Sequence, residues 1–150
     1  MILQLREDPS LLVALDFSAV AGAQLDVVRK MATPRHVIHL LHVAEPDPSF
    51  IGMEAGPGEV RDQVAREFRQ EREQLHAMAE ALREAGLEVR LLLVQGPTIQ
   101  TILAEAQRVG AGMIVVGSHG HGKLFDLVVG SVSAGVIRQA TVPVLVVPSR

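Results

Sequence analysis

MIVVGSHGHGKLFDLVVGSVS occupies residues 113–133. Its opening run, Met113, Ile114, Val115 and Val116, has the length and branching of a buried strand. Glycines follow at 117, 120 and 122. Glycine directly after a strand lets the backbone take positive φ and lie close against a ligand. A short apolar piece at 124–129 then leads to Gly130 and Ser131, where a helix reads as beginning. A helix opening there offers unpaired N–H groups and the positive end of a dipole, which together favour an anion. Ser131 and Ser133 add hydroxyls at that end. The stretch reads as a phosphate cradle in two halves, a glycine loop and a helix start.

Two generic phosphate motifs fail on it. Gly117, Gly122 and Lys123 match G-x-x-x-x-G-K-[ST], but Leu124 stands where the magnesium-binding hydroxyl belongs. The dinucleotide pattern G-x-G-x-x-G fails because Phe125 replaces the third glycine after Gly120 and Gly122. The spacing that holds is Gly117-x2-Gly120-x9-Gly130-Ser131.

Working outward, 150 residues suit one domain with a sizeable core. Hydrophobic residues make up 48% and charged residues 21%, a globular balance. A net charge of −3 offers no basic face for nucleic acid, and with no Trp or Tyr there is no stacking platform of those residues for bases. Zero cysteines exclude a disulfide framework and thiolate metal sites. No apolar run reaches the roughly 18 residues of a membrane span, and residues 1–8 are too short and polar for a signal peptide. A soluble cytoplasmic protein is the expectation.

Residues 1–10 read as a loose lead-in, and 11–15 as a first strand ending in Asp16. Ser18 is placed to cap a helix with Ala21, Leu25, Val28 and Ala32 at helical spacing, closed by Pro34. Residues 35–44 form a second strand apolar on both faces, as a parallel sheet covered by helices requires. The irregular stretch EPDPSFIGMEAGPGE at 45–59 leaves that strand as a long loop, either a cover for a ligand or a plain insertion. Residues 60–84 form a charged helix whose buried stripe is Val64, Phe68, Leu75, Met78 and Leu82, with His76 facing solvent. Gly86 ends it. A third strand at 87–94, a turn at Gly96 and Pro97, and a helix with Ile99, Ile102, Leu103 and Ala106 inward lead to the central stretch. Val142 to Val147 is the fifth strand.

Strands alternating with helices predict a parallel sheet with right-handed crossovers. Two orders are common for five such strands, 3-2-1-4-5 and 2-1-3-4-5, and ligands sit where the order reverses. Only the first puts Asp16, at the tip of strand one, beside Gly117 at the tip of strand four. The expected order is therefore 3-2-1-4-5.

The spaced glycines with Ser131, followed by PVLVVP at 143–148, resemble the ATP-binding branch of the universal stress protein family. LLVALDFS at 11–18 is similar to that family's first strand and turn. HLLHVAEP at 39–46 is similar to its second strand, and QGPTIQTIL at 95–103 to its third turn and helix. The resemblance implies one domain over 1–150. Its fold would be an α/β three-layer sandwich, with a five-stranded parallel sheet and four helices, Rossmann-like and of the adenine nucleotide alpha hydrolase-like kind. It implies nucleotide contacts at Ala14, Asp16, Val43, Val116, Gly117, Ser118, His119, Gly120, Gly130, Ser131, Val132 and Ser133, with ATP, ADP or AMP as ligand and Mg²⁺ alongside. Ionised Asp16 only accepts, which suits a ribose hydroxyl or the water shell of the metal. Val43 and its neighbouring backbone would form the adenine slot.

A metal reading of the histidines is weaker. His119 and His121 alternate in the loop, while His36 and His42 share one face of strand two and His39 takes the other, without fixed partners. Phosphoryl transfer needs a nucleophile, a metal clamp and charge neutralisation, and Asp16 is the only evident carboxylate at the proposed site. The reading is a stress-response or signalling module whose bound nucleotide is sensed by partners. Slow hydrolysis or self-phosphorylation is the most the resemblance implies. The alternatives are a dimeric scaffold of the same fold without nucleotide, and a true ATPase or phosphotransferase. In the expected order VPVLVV is an apolar edge, which invites a second copy to pair along it; a homodimer through this strand is what the family resemblance also implies.

Overall fold

Nine elements follow one another: β1 (Ser10–Ala14), α1 (Val20–Met31), β2 (Val37–Ala44), α2 (Gly58–Glu84), β3 (Glu88–Gln95), α3 (Thr98–Arg108), β4 (Met113–Gly117), α4 (Ser131–Gln139) and β5 (Val144–Val147). They come from a computed structural model that describes residues 10–44, 58–118 and 129–148. The lead-in at 1–9, nearly all of the long loop at 45–59, and His119, Gly120 and the rest of the glycine loop to 128 lie outside the described residues.

The five strands form one parallel sheet in the order β3-β2-β1-β4-β5, as the sequence predicts. Strands buried on both faces explain the doubly apolar runs. Along β1, Leu11 and Val13 pack with α1 and α2, while Leu12 packs with α3 and α4. On β2, Ile38 and Leu40 take the first side and Leu41 the second. Each such Leu or Ile, withdrawn from water, contributes about 1.5–3 kcal/mol. The result is three layers, with four helices among the described residues. None of those helices is long and apolar enough to cross a membrane.

The structure corrects the sequence reading at two places. Leu75 and Leu82 of α2 are buried, joined by Ala79, but Val64 and Phe68 are more than a third exposed. A helix of 27 residues is about 40 Å long and an eight-residue strand about 26 Å. The first turns of α2 therefore overrun the sheet on which the rest packs. The N-cap of α1 is Ala19, although Ser18 Oγ accepts the Val20 N–H at 3.4 Å. Pro97, read in the turn at the helix start, is the N-cap of α3.

Ser10, Gln24, His39, His42 and Ser133 are the buried polar residues among those described, and two of them bear on the core. Gln24 of α1 is 1% exposed. His39 of β2 is buried beneath α3, and its Nδ1 has no hydrogen-bond partner among the described residues. Burial holds the His39 imidazole below its ordinary value of 6.5. The Arg90 and Arg108 guanidiniums push the same way, against Glu88 and Glu105. The unfolded chain thus takes up a proton near pH 6.5 that the folded chain refuses. The stability contribution is complete above that pH and falls as the pH drops below it, by up to about 1.4 kcal/mol per pH unit. Chemical denaturation at pH 7.5 and 5.5 checks this: the loss on acidification should be smaller in His39→Leu than in the parent chain.

Candidate functional site

At the carboxyl ends of β1 and β4 the chain departs to opposite faces of the sheet. β1 feeds α1 on one side, and β4 leads to α4 on the other. Such a reversal opens a crevice between neighbouring strands. Here it holds a cavity of about 220 Å³.

Of the residues predicted for the site, Ala14, Asp16, Val43, Val116, Gly117, Gly130, Val132 and Ser133 line this cavity. Ser118 and Ser131 do not. Ser118 continues the ladder to β5, its N–H donating to the Val147 carbonyl at 2.8 Å, and Ser131 is exposed at the start of α4. His119 and Gly120 fall outside the described residues.

The two halves of the proposed cradle meet. Ser133 Oγ donates to the Gly117 carbonyl at 2.7 Å, tying the first turn of α4 to the end of β4. The Ser133 hydroxyl hydrogen is therefore spent on joining the segments, and its oxygen keeps only acceptor capacity. Gly117 is small for a reason the sequence did not reveal. A Cβ there would lie 2.6 Å from Val20 Cγ1 and 3.2 Å from Gln24 Oε1. What crowds this glycine is α1. Gln24 completes the arrangement by donating from Nε2 to the Ala14 carbonyl at 2.9 Å, so one buried amide spans the gap between the tips of β1 and β4.

The far wall comes from α3 and α4, which approach closely because Gly135 has no side chain. A Cβ there would meet Ile99 Cδ1 at 2.3 Å. Thr98 at the start of α3 and Val132 at the start of α4 both line the cavity. The N-terminal ends of two helices, with their positive dipole ends, thus open on the same space. The floor is apolar, built from Ala14, Leu41, Val43, Ile102 and Val116, and Asp16 is the one ionisable lining residue among those described. Asp16 Oδ1 accepts the Ser18 N–H at 2.9 Å, which sets the turn between β1 and α1. The site can thus seat a flat apolar body on its floor, a hydroxyl near Asp16 and an anion near the helix starts. No group of three or more His, Asp or Glu among the described residues is placed to hold a metal ion.

Sequence reasoning missed Leu15, Gln24, Leu41, Thr98 and Ile102 as lining residues. Gln24 carried a signal, being a polar residue on the same face as Ala21 and Val28. Thr98 did too, as the first hydroxyl of a helix opening at the sheet's carboxyl end. The other three lie in apolar runs and look like core.

A sequence model of the universal stress protein family matches residues 9–148. Universal stress protein YxiE of Bacillus subtilis is 30% identical over 143 residues, spanning 91% of this chain and 97% of that one. MJ0577 of Methanocaldococcus jannaschii is 26% identical over 150 residues, spanning 91% and 93%. Its solved structure aligns with a TM-score of 0.78 at 27% identity, covering 97% of this chain and 99% of that one. The universal stress protein of Archaeoglobus fulgidus, solved in complex with dAMP, aligns with a TM-score of 0.67 at 22% identity, covering 95% and 99%. At that identity the likeness shows the fold.

The contacts at Gly117 yield a prediction of their own. Gly117→Ala should destabilise the chain by about 1–3 kcal/mol through overpacking against Val20, measured by urea denaturation with and without ligand. If stability is unchanged, α1 does not crowd this position.

Proposed function

The chain belongs to the universal stress protein family, and from that premise we propose that it binds an adenine nucleotide in the cavity between β1 and β4. Its role is that of a stress-response or signalling module whose bound state is read by partners in the cytoplasm. The observation that carries this reading is the 2.7 Å hydrogen bond from Ser133 to Gly117. It brings a glycine-terminated strand and a helix start together beside Asp16. The dAMP held by the Archaeoglobus fulgidus relative supports the same class of ligand.

In this reading the base rests on the apolar floor against Val43, and the ribose hydroxyls face Asp16. The phosphates meet the starts of α3 and α4, with the loop beginning at Gly117 and Ser118 and continuing through His119 and Gly120. Gly130, Ser131 and Val132 supply the backbone at the start of α4, and Ala14 and Val116 supply the floor. ATP brings Mg²⁺ with it. A single carboxylate at the cavity fits a metal that stays on the phosphates and keeps most of its water, with Asp16 reaching that shell. The lack of a second placed carboxylate among the described lining residues favours binding over turnover.

Calorimetric titration with ATP and Mg²⁺ tests the assignment. The parent chain should bind, and Gly130→Val, which adds a branched side chain at the cavity wall, should abolish binding while leaving the circular dichroism spectrum unchanged. Affinity that survives this substitution would mean the cradle is misassigned. A chain that never binds nucleotide would be the scaffold of the alternative reading, and turnover above roughly 1 s⁻¹ would make it an enzyme.

Among the described residues β5 has a strand partner on one side only, β4. Its half-buried Val144, Leu145 and Val146 form an apolar edge, and a second copy pairing along it would give a twofold dimer. Sedimentation at micromolar concentration should report two chains per particle, and a monomer there removes this interface.

A further inference from the structure

The ladder between β1 and β2 stops one rung short. Ala14 is paired with Leu41, and the Leu41 carbonyl accepts the Leu15 N–H at 2.8 Å. Alternate residues of a strand turn their main-chain groups toward the same neighbour, so Val43 faces the β1 side as Leu41 does. The next rung would run from the Val43 N–H to the Leu15 carbonyl, yet the pairing ends at Ala14 and Leu41. The Leu15 carbonyl lies 2.8 Å from Nδ1 of His42. A carbonyl only accepts, so Nδ1 donates, and it engages the very carbonyl to which the Val43 amide makes no hydrogen bond.

His42 is well held for this task. It is buried on the face of β2 away from the cavity, and its ring lies 4.2 Å from that of Phe17. Phe17 has φ of 59°, a left-handed conformation that a bulky side chain rarely adopts and that persists only where the surroundings fix it. Nε2 of His42 lies 3.5 Å from Glu71 Oε1 on α2. Each ring nitrogen thus faces an acceptor, one on the turn carrying Asp16 and one on a helix outside the cavity.

We propose that His42 is a positioning residue, diverting the Leu15 carbonyl so that the Val43 N–H remains open toward the cavity as a donor to a ring nitrogen of the bound base. The proposal rests on the nucleotide reading above and adds the group that makes the base contact available. Base recognition on one face of the sheet then depends on a hydrogen bond made on the other.

Amide hydrogen exchange on the full chain without nucleotide tests the first half. The Val43 amide should exchange at least about tenfold faster than that of Leu41, and His42→Leu should slow it about tenfold by letting the rung close. Val43 as protected as Leu41 in the parent chain overturns the proposal, and that comparison needs no variant to fold. Titration with adenosine and with inorganic tripolyphosphate tests the second half. His42→Leu should weaken adenosine about tenfold, the worth of one hydrogen bond, and leave tripolyphosphate unchanged. An equal loss for both probes means that His42 serves the fold alone and overturns the base-reading role. If the parent chain binds neither probe, the nucleotide reading falls and takes that role with it, while the exchange comparison still decides whether His42 frees the amide.

Discussion

Gly117 is gripped from both faces of the sheet. Val20 and Gln24 of α1 leave no room for a side chain on it, and Ser133 of α4 hydrogen-bonds its carbonyl. The two helices belong to opposite layers, so this residue is where the layers are referenced to each other. The arrangement follows from the strand order. Because β1 and β4 are neighbours whose helices leave in opposite directions, their tips must diverge, and something has to set the width of the gap. Gln24, which spans it to the Ala14 carbonyl, and Gly117, which admits close approach, do so. The cavity is the space that remains.

Most of the architecture was legible in the residues. Runs such as 11–15 and 35–44 pointed to strands of a parallel sheet covered by helices, and the glycine spacing marked where the fourth strand ends. The start of α4 at Ser131 was read to the residue, because a glycine and a serine after an apolar stretch leave few alternatives. What failed did so for a common reason: periodicity describes a helix and not the surface it meets. Val64 and Phe68 continue the stripe of α2 faithfully, but the sheet ends before they do. Gln24 was passed over, despite its place on the inward face, because a polar residue on a helix is ordinarily solvated, and here its amide has a carbonyl to satisfy it inside. Within the site, the residues with special backbone or charge could be named in advance, whereas Leu41 and Ile102 could not be told from core.

The three histidines near β2 show how one residue type divides its work by position. His36 precedes the strand and accepts the Thr33 N–H at 2.9 Å, closing the turn after α1. His39 points beneath α3, where desolvation and two nearby arginines favour its neutral form. His42, on the opposite face, sits between a backbone carbonyl and a carboxylate. Alternation along the strand separates His39 from His42 by the thickness of the sheet, which is why their density in the sequence does not amount to a metal site.

The contact between Gly135 and Ile99 has a further effect. By letting the Ile99 side chain of α3 seat against the bare Gly135 backbone of α4, it sets two partial positive poles side by side, an arrangement that is mildly repulsive when nothing negative lies between them. An incoming anion relieves that repulsion. The packing of this helical layer and the filling of the crevice are therefore thermodynamically linked, so that an anion bound there would also tighten the wall that holds it.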